Sequence, residues 1–582
     1  MSQSDGKRFF GPGRPLSLVT ALAGGLACVI VLLAAVGMPQ AAAWAAPRAR
    51  GGLPLGIGSA MTAPVSSTVV FLPLVAKNAI SATNWLQFGG NAQHSGENTQ
   101  EAAIGPANVA TLVQKFQVGL PAVADGAPAY LAGVATPGGQ HNLLFMTLTD
   151  GTLVAADAQS GTVVWSAAHA ASGCEQFGGG GACFTTSSPA VDPSLQYVYS
   201  YGLDGYVHKH WTSNGSEVTS GGWPVQATLQ PGLEKGSSAL SIATTPSGAS
   251  YLYVTNAAFP AEEGDNGYFY QGHMTAINLA NAATNVFNAG CSNQAGLVQP
   301  GSSSCGSGGW GWGIWARPGT VYEPDTDRIY VATGNATFDP ATFSWGDSVL
   351  ALSSDGLGSG GAPLDSYTPT DQADLNTSDT DLGSTAPAIL PIPSGSDSRV
   401  QHLGMQGGKD GLLRLLNLDN LSGLGGPGHT GGELGQTVQV QPSGEQVLAQ
   451  PAVWVNPADG STWTFVATRL GLTGLRVAFS ASGAPSLQTM WNITPAGTST
   501  GVTGGTSPVV ANNVVYGVWG GMIIGVDPLT GNLLWRNSSI GSIHWESPIV
   551  VNGMVYITDE SGDLTAFGLP PAGAGRAAGT RK

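Results

Sequence analysis

The sequence predicts an all-β protein: an eight-bladed β-propeller of four-stranded antiparallel sheets, its ring closed by an N-terminal strand placed in the last blade. Three observations predict it. The 582-residue chain combines 86 Gly and 37 Pro with 42% hydrophobic residues and 15 Trp. Turns are therefore frequent while a core can still be buried, which favours short strands over helices. A self-similar unit recurs along the chain, the signature of a repeat architecture. The last unit stops one strand short, and a spare strand stands ahead of the first, as ring closure requires.

Each unit opens on a small residue, often with Pro nearby: APAYL from Ala127, SSPAV from Ser187, LSIAT from Leu240, WARPGTV from Trp315, TAPAI from Thr385, QPAVW from Gln450, TSPVV from Thr506 and ESPIV from Glu546. An alternating strand follows, such as QYVYSYG, SYLYVTN or DRIYVATGN, then a Gly- or Asp-containing turn and another strand, such as GTLVAAD, GYVHKHW or GMIIGVD. Complete units close on SGTVVW or TGNLLW. The phrases AADAQSGTVVW and GVDPLTGNLLW read as one hairpin written twice. Asp157 or Asp527 caps the turn backbone. Gly161 or Gly531 supplies a positive φ. Trp165 or Trp535 is carried outward to pack on a neighbouring unit. The spare strand is ATLVQKFQVG, Ala110 to Gly119, which completes ESPIVVNGMVYITDESGDLTAFGLP.

The expected organisation is a signal peptide over 1–45, a flexible linker over 46–84, the propeller over 85–570 and a disordered tail over 571–582. Lys7, Arg8 and Arg14 precede the apolar run LSLVTALAGGLACVIVLLAAVGM, and Ala43 and Ala45 fit a small-x-small cleavage site. The expectation is a secreted or extracytoplasmic protein. The length of the run leaves an uncleaved membrane anchor open, and the mature chain is read as having no transmembrane domain. Two cysteine pairs each bracket a Gly-rich loop, predicting Cys174–Cys183 and Cys291–Cys305 disulfides in an exported chain.

The formal net charge is -16 with only 20 Lys+Arg. With no basic block beyond the N-terminus, this argues against a nucleic-acid partner. No Cys-x-x-Cys-His is present, which excludes a covalent c-type haem. No Walker spacing, Gly-x-Ser-x-Gly elbow, His-Glu-x-x-His or Rossmann fingerprint occurs either. The HKH run at 208–210 reads as a polar surface strand.

The repeated Asp-x-x-[Thr/Ser]-Gly-x-x-x-Trp phrase, over an eightfold Gly-rich chain, resembles the pyrroloquinoline quinone (PQQ) repeat propellers. The opening WLQFGGNAQHSGENTQEAAIGPANVATL is similar to the lead-in of secreted members. The resemblance covers about Trp85 to Pro570. The family holds both quinoprotein dehydrogenases and cofactor-free scaffolds, so it specifies fold more than function. It implies a site at the propeller axis. GGWGWGIWARPGTVYEPDTDRIYVATGNATFD resembles the family's Trp-rich segment, with Trp312 as the quinone floor, Trp310 as second choice, and Asn335 as a Ca2+ ligand. SYTPTDQADLNTSDTDLGSTAPAIL resembles the segment of the catalytic carboxylate, with Asp381 as base and metal ligand and Asp379 next. GMQGGKDGLLRLLNLDNL places Lys409 beside the quinone. The family's metal-binding Glu has no direct counterpart: Gly267 falls at its place, and Glu262 or Glu263 substitutes only if the loop re-routes. The vicinal Cys-Cys pair of many alcohol dehydrogenases is absent. All these residues also read as packing, turn and surface residues.

Two functions follow as expectations. One is an exported dehydrogenase that oxidises a small hydroxylated substrate with PQQ and Ca2+, passing electrons to an external acceptor. The other is a non-catalytic propeller that binds a protein partner or envelope glycans on its rim.

Overall fold

The computed structural model describes residues 83–173, 183–259, 270–299, 305, 311–441, 445–495 and 506–571. The expected leader, linker and tail fall outside these, apart from 83, 84 and 571. Within them lie eight antiparallel sheets arranged as the blades of a propeller. The eight opening phrases become the first strands of the blades: Ala129–Thr136, Ala190–Val191, Ser241–Thr244, Val321–Glu323, Ala388–Leu390, Ala452–Val455, Val509–Ala511 and Ile549–Val551. Each pairs with the next strand in sequence, as in a meander. The ring closes as the sequence predicts. Val113–Gly119 pairs antiparallel with Asp563–Gly568 as the outer strand of blade 8, with Val118 opposite Leu564.

The repeated hairpin works as expected, and the structure adds what the tryptophan does. Asp157 Oδ1 accepts from the N–H groups of Gln159 and Ser160 at 3.1 and 2.9 Å, and Asp527 Oδ1 from those of Leu529 and Thr530 at 3.0 and 2.9 Å. Gly161 and Gly531 sit at φ 74° and 70°. Trp165 donates from Nε1 to Thr212 O at 3.0 Å, in the turn of blade 2. Trp491 of blade 6 donates to Pro528 O at 2.9 Å, in the turn of blade 7. Each indole thus clips the following blade. A Cβ on Gly531 would come 2.8 Å from the Trp491 ring, so the glycine also makes room for its neighbour's clip. In the ring-closing strand Phe116 takes the indole's place, 2.8 Å from the position of a Cβ on Gly161.

The core lies between blades. Trp454 and Phe465 of blade 6 pack with Val515 and Trp519 of blade 7, and Trp519 donates from Nε1 to Thr468 O at 2.8 Å. Burial of this kind, about 1.5–3 kcal/mol per large apolar side chain, drives neighbouring sheets together face to face.

The lead-in, Trp85 to Asn98, links distant blades. Trp85 bridges Tyr130 of blade 1, Gln87 exchanges two hydrogen bonds with Ile242 of blade 3, and Glu97–Asn98 lies parallel to Val510–Ala511 of blade 7. His94 anchors it. Nδ1 lies 2.6 Å from Phe88 O, and Nε2 lies 3.0 Å from Thr320 O and 3.1 Å from Ser241 Oγ. Complete burial pushes the His94 pKa down from 6.5 to about 4. Between these values the unfolded chain binds a proton that the folded chain refuses, so stability rises with pH across that window. Lowering the pH from 6.5 to 4 is therefore expected to remove on the order of 3 kcal/mol of stability. Urea unfolding of wild type and His94→Gln at several pH values checks this, the variant showing the flatter profile.

Candidate functional site

The segments that open the blades line a cavity of about 590 Å³. Thr186 comes from the lead into blade 2, Lys235 and Ser237 into blade 3, Trp315 and Arg317 into blade 4, Asp379 and Asp381 into blade 5, and His544 and Trp545 into blade 8. The convergence of so many blades places the cavity at the hub, where propellers present a shared central channel.

Three of the residues expected at the axis meet on its wall. Asp381 Oδ1 accepts from the backbone N–H of Asn335 at 2.7 Å, and Asp381 Oδ2 pairs with Lys409 Nζ at 2.5 Å. Asn335 Nδ2 donates to Asp379 Oδ1 at 2.8 Å, and Lys409 Nζ lies 3.5 Å from the same oxygen. Local structure explains this alignment. A Cβ on Gly334 would overlap Asp381 Oδ1, and one on Gly383 would fall within 2.8 Å of Gly334 N, so ATGN and DLGSTAP can pack backbone to backbone. Gln406 Nε2 donates to Leu382 O and Thr385 O, both at 2.9 Å, fixing the segment after Asp381. Asp379 sits at φ 53°, a left-handed conformation of the kind that collects at functional sites.

Asn335 Oδ1 is buried and has no hydrogen-bond partner among the described residues. Its amide orientation is set, because the nitrogen must face Asp379. An orphaned amide oxygen beside a carboxylate is a hard donor pair of the type that Ca2+ takes.

The aromatic wall differs from expectation. Trp312 is only 3% exposed, packs against Ala289 and Ala336, and donates from Nε1 to Thr337 O at 3.0 Å. It does not line the cavity; Trp315 does, with Lys409 Nζ 5.5 Å from its ring centroid and Trp545 edge-on at 6.4 Å. The reason is local. A Cβ on Gly290 would come 2.5 Å from the Trp312 ring, so that glycine leaves a slot which the indole fills. Trp310 and Glu263, the other expected cofactor and metal residues, fall outside the described residues. Cys291–Cys305 is formed. Cys183 is disulfide-bonded, and Cys174 falls outside the described residues.

Sequence reasoning missed the far wall. Arg317 is buried and donates to Thr186 O and Asp125 O at 3.1 and 3.2 Å, and its guanidinium carbon lies 5.5 Å from the Trp545 ring centroid. Lys235 Nζ sits 3.9 Å from the Phe184 ring centroid, and burial pushes its pKa down to about 7. His544 Nδ1 lies 2.7 Å from Asp125 Oδ2. Burial pushes the Asp347 carboxyl, behind Asp381, up to about 8, the Asp381 charge adding to the effect and the Leu382 N–H opposing it. A signal for these residues existed in part: Trp315 and Arg317 lie within the opening phrase WARPGTV and Trp545 just ahead of ESPIV, and all three line the cavity.

No family model and no curated protein matches the chain. Solved structures do. The quinohemoprotein alcohol dehydrogenase ADHIIG from Pseudomonas putida HK5 superposes with a TM-score of 0.57 at 14% identity, covering 86% of this chain and 82% of that one. The quinohemoprotein alcohol dehydrogenase from Comamonas testosteroni gives 0.56 at 14% identity, covering 84% and 80%. A europium-containing methanol dehydrogenase gives 0.55 at 13% identity, covering 84% and 98%. At such identities the likeness speaks for the fold. The chain has the eight-bladed β-propeller fold of these alcohol and methanol dehydrogenases.

Proposed function

We propose that this chain is an exported quinoprotein-type dehydrogenase that oxidises a hydroxyl group using PQQ and Ca2+. The observation that carries the reading is the hub cavity, where Asp381, Asn335 and Lys409 meet beside Trp315. Its volume falls within the range of about 300–1,000 Å³ usual for cofactor sites. The donor set fits the group. Asn335 Oδ1 and the Asp381 carboxylate supply hard oxygens for the ion, with Glu263 the candidate for a third. Lys409 and Arg317 supply positive charge for an acidic cofactor, and the Trp315 and Trp545 rings supply flat apolar surface. Bound PQQ would accept the two electrons removed from the substrate carbon.

The chain's own residues account for the rest. Asp381 takes the hydroxyl proton at Oδ2 once a substrate hydroxyl displaces Lys409 from that oxygen. Lys409 remains beside Asp379, so its charge stays compensated. The Asn335 N–H holds Oδ1 in place, which fixes the direction of Oδ2. Export rests on the Lys7 to Ala45 pattern, and reoxidation falls to an external acceptor.

A second reading, a non-catalytic scaffold that binds a protein partner, draws on one observation: the Lys409–Asp381–Asn335 network already satisfies its charges without a ligand. A dye-linked assay of the mature chain reconstituted with PQQ and Ca2+, over a panel of primary and secondary alcohols, separates the two. The dehydrogenase reading expects turnover that requires both additions. Absence of turnover across the panel, together with absence of PQQ binding, favours the scaffold.

A further inference from the structure

Away from the hub, His169, His208, His210, Asp204 and Glu217 gather where blade 1 meets blade 2. They include three of the nine histidines in the chain. His208 and His210 are two residues apart on the strand Tyr206–Trp211 and so share a face. Lys209 takes the other face, 3.9 Å from the Tyr197 ring centroid. His208 and His210 are 2% and 0% exposed. His169 follows the outer strand of blade 1, Val163–Ala167, and stacks on His208 with ring centroids 3.4 Å apart. Glu217 Oε1 lies 2.6 Å from His208 Nδ1, and Asp204 Oδ1 lies 3.2 Å from His208 Nε2.

The hydrogen bonds set the tautomers. His210 Nδ1 lies 3.0 Å from Gly215 O and must donate to it, because a carbonyl only accepts. His210 Nε2 is then a lone-pair nitrogen, and it faces His169 Nε2 at 3.2 Å. His169 Nε2 therefore carries the hydrogen, which leaves the lone pair of His169 on Nδ1. That nitrogen has no hydrogen-bond partner among the described residues. One donor atom from each of His169, His208 and Glu217 lies within 4.8 Å of the others.

We propose that these three side chains bind a divalent transition-metal ion, zinc by preference, which clips blade 1 to blade 2. His169 ligates through Nδ1, Glu217 through its carboxylate, and His208 through Nδ1 once that nitrogen has released to water the proton it shares with Glu217, with water completing a tetrahedron. Two imidazoles and a carboxylate are a donor set suited to zinc, whose bonds run about 2.0–2.2 Å. Closing the three donors onto such an ion needs side-chain rotation at a site two ligands of which, His169 and Glu217, are partly exposed. The outer partners are already placed: His210 receives the other N–H of His169, and Asp204 receives that of His208, as ligating imidazoles require. The two carboxylates balance the charge of the ion. Because the ligands come from two blades, the ion holds them only when they are docked, so it stabilises the folded chain by mass action.

Isothermal titration of the chelator-treated full chain with zinc chloride tests this, alongside thermal unfolding with and without zinc and the visible spectrum with cobalt(II). Expected are saturable binding, a melting temperature that rises with zinc, and the intense visible bands of tetrahedral cobalt. His169→Ala and Glu217→Ala each weaken binding at least about tenfold and abolish the shift, and Asp204→Asn weakens it about tenfold. His141→Ala, in a separate surface pair with Asp157, leaves binding unchanged. His169 is partly exposed, so its variant is expected to fold, and its melting temperature without zinc verifies that. No saturable binding at millimolar zinc overturns the proposal, as does binding that His169→Ala and Glu217→Ala both leave intact.

Discussion

Asp381→Asn is expected to lower PQQ-dependent turnover by about 10²- to 10⁴-fold, the usual worth of a positioned general base. The variant keeps the shape of the side chain. Its amide oxygen can still accept the Asn335 N–H that Oδ1 accepts at 2.7 Å, so the ATGN and DLGSTAP segments stay in register. What it loses is the charge at Oδ2 and the 2.5 Å pair with Lys409. If Asp381 acts as the base, kcat falls far more than PQQ affinity does. A merely structural role predicts the opposite pattern: lost cofactor binding and a lower melting temperature, with the remaining loaded fraction turning over normally. Lys409→Met provides the complementary case. It frees Oδ2 but leaves Asp381 near Asp379 without a cation, and the cost of an uncompensated charge of this kind runs to about 3–5 kcal/mol when fully buried. Asp381 is 7% exposed, so a loss toward that range is expected.

The second large effect concerns the ring. A chain that begins at Leu120 lacks the outer strand of blade 8, together with the lead-in that links blades 1, 3 and 7, and is expected to lose its soluble monomeric fold. Asp563–Gly568 would then become a bare edge, its backbone groups open to pairing with other chains. Leu564 and Phe567, both 0% exposed, would lose cover, and Gly161 would lose the Phe116 ring that packs on it. Removing one large aromatic from a core already costs about 3–5 kcal/mol, a large share of the stability of a typical domain. Size-exclusion chromatography and far-ultraviolet circular dichroism check this. A cooperative monomer from the shortened chain would show that blade 8 does not depend on its N-terminal strand. Partial recovery on adding a peptide spanning Val113–Gly119 would locate the defect in that strand, since a missing strand can be supplied in trans.

How much of this the sequence carried depended on the range of the interaction. The hairpin phrase is local: Asp527, Gly531 and Thr530 satisfy one another within five positions, so the turn could be read directly. The blade openings were legible because eight copies of a weak signal reinforce each other. Ring closure was legible because one unit lacked a strand and another segment had no unit. The meeting of Asn335, Asp381 and Lys409 came through the family resemblance, and periodicity alone would not have found it. The choice of Trp312 over Trp315 failed for a reason the sequence hides. Which indole faces the hub depends on a slot made by Gly290, in the turn that follows the outer strand of another blade. Arg317, Lys235 and His544 escaped because each is defined by partners far along the chain, such as Asp125 for His544, 419 residues away. The histidine run at 208–210 looked like a polar surface strand. It is buried because His169, from the preceding blade, covers it.

The central claim is that the hub of this propeller holds PQQ with Ca2+ through Asn335, Asp381 and Lys409. Titration of the mature chain with PQQ, with and without Ca2+, tests it most directly, followed by calorimetry and by quenching of tryptophan fluorescence. The account predicts one PQQ per chain, tighter binding with Ca2+, quenching that Trp315→Phe diminishes, and loss of the Ca2+ dependence in Asn335→Ala. Absence of saturable binding, or binding indifferent to Ca2+ and to both substitutions, would contradict it.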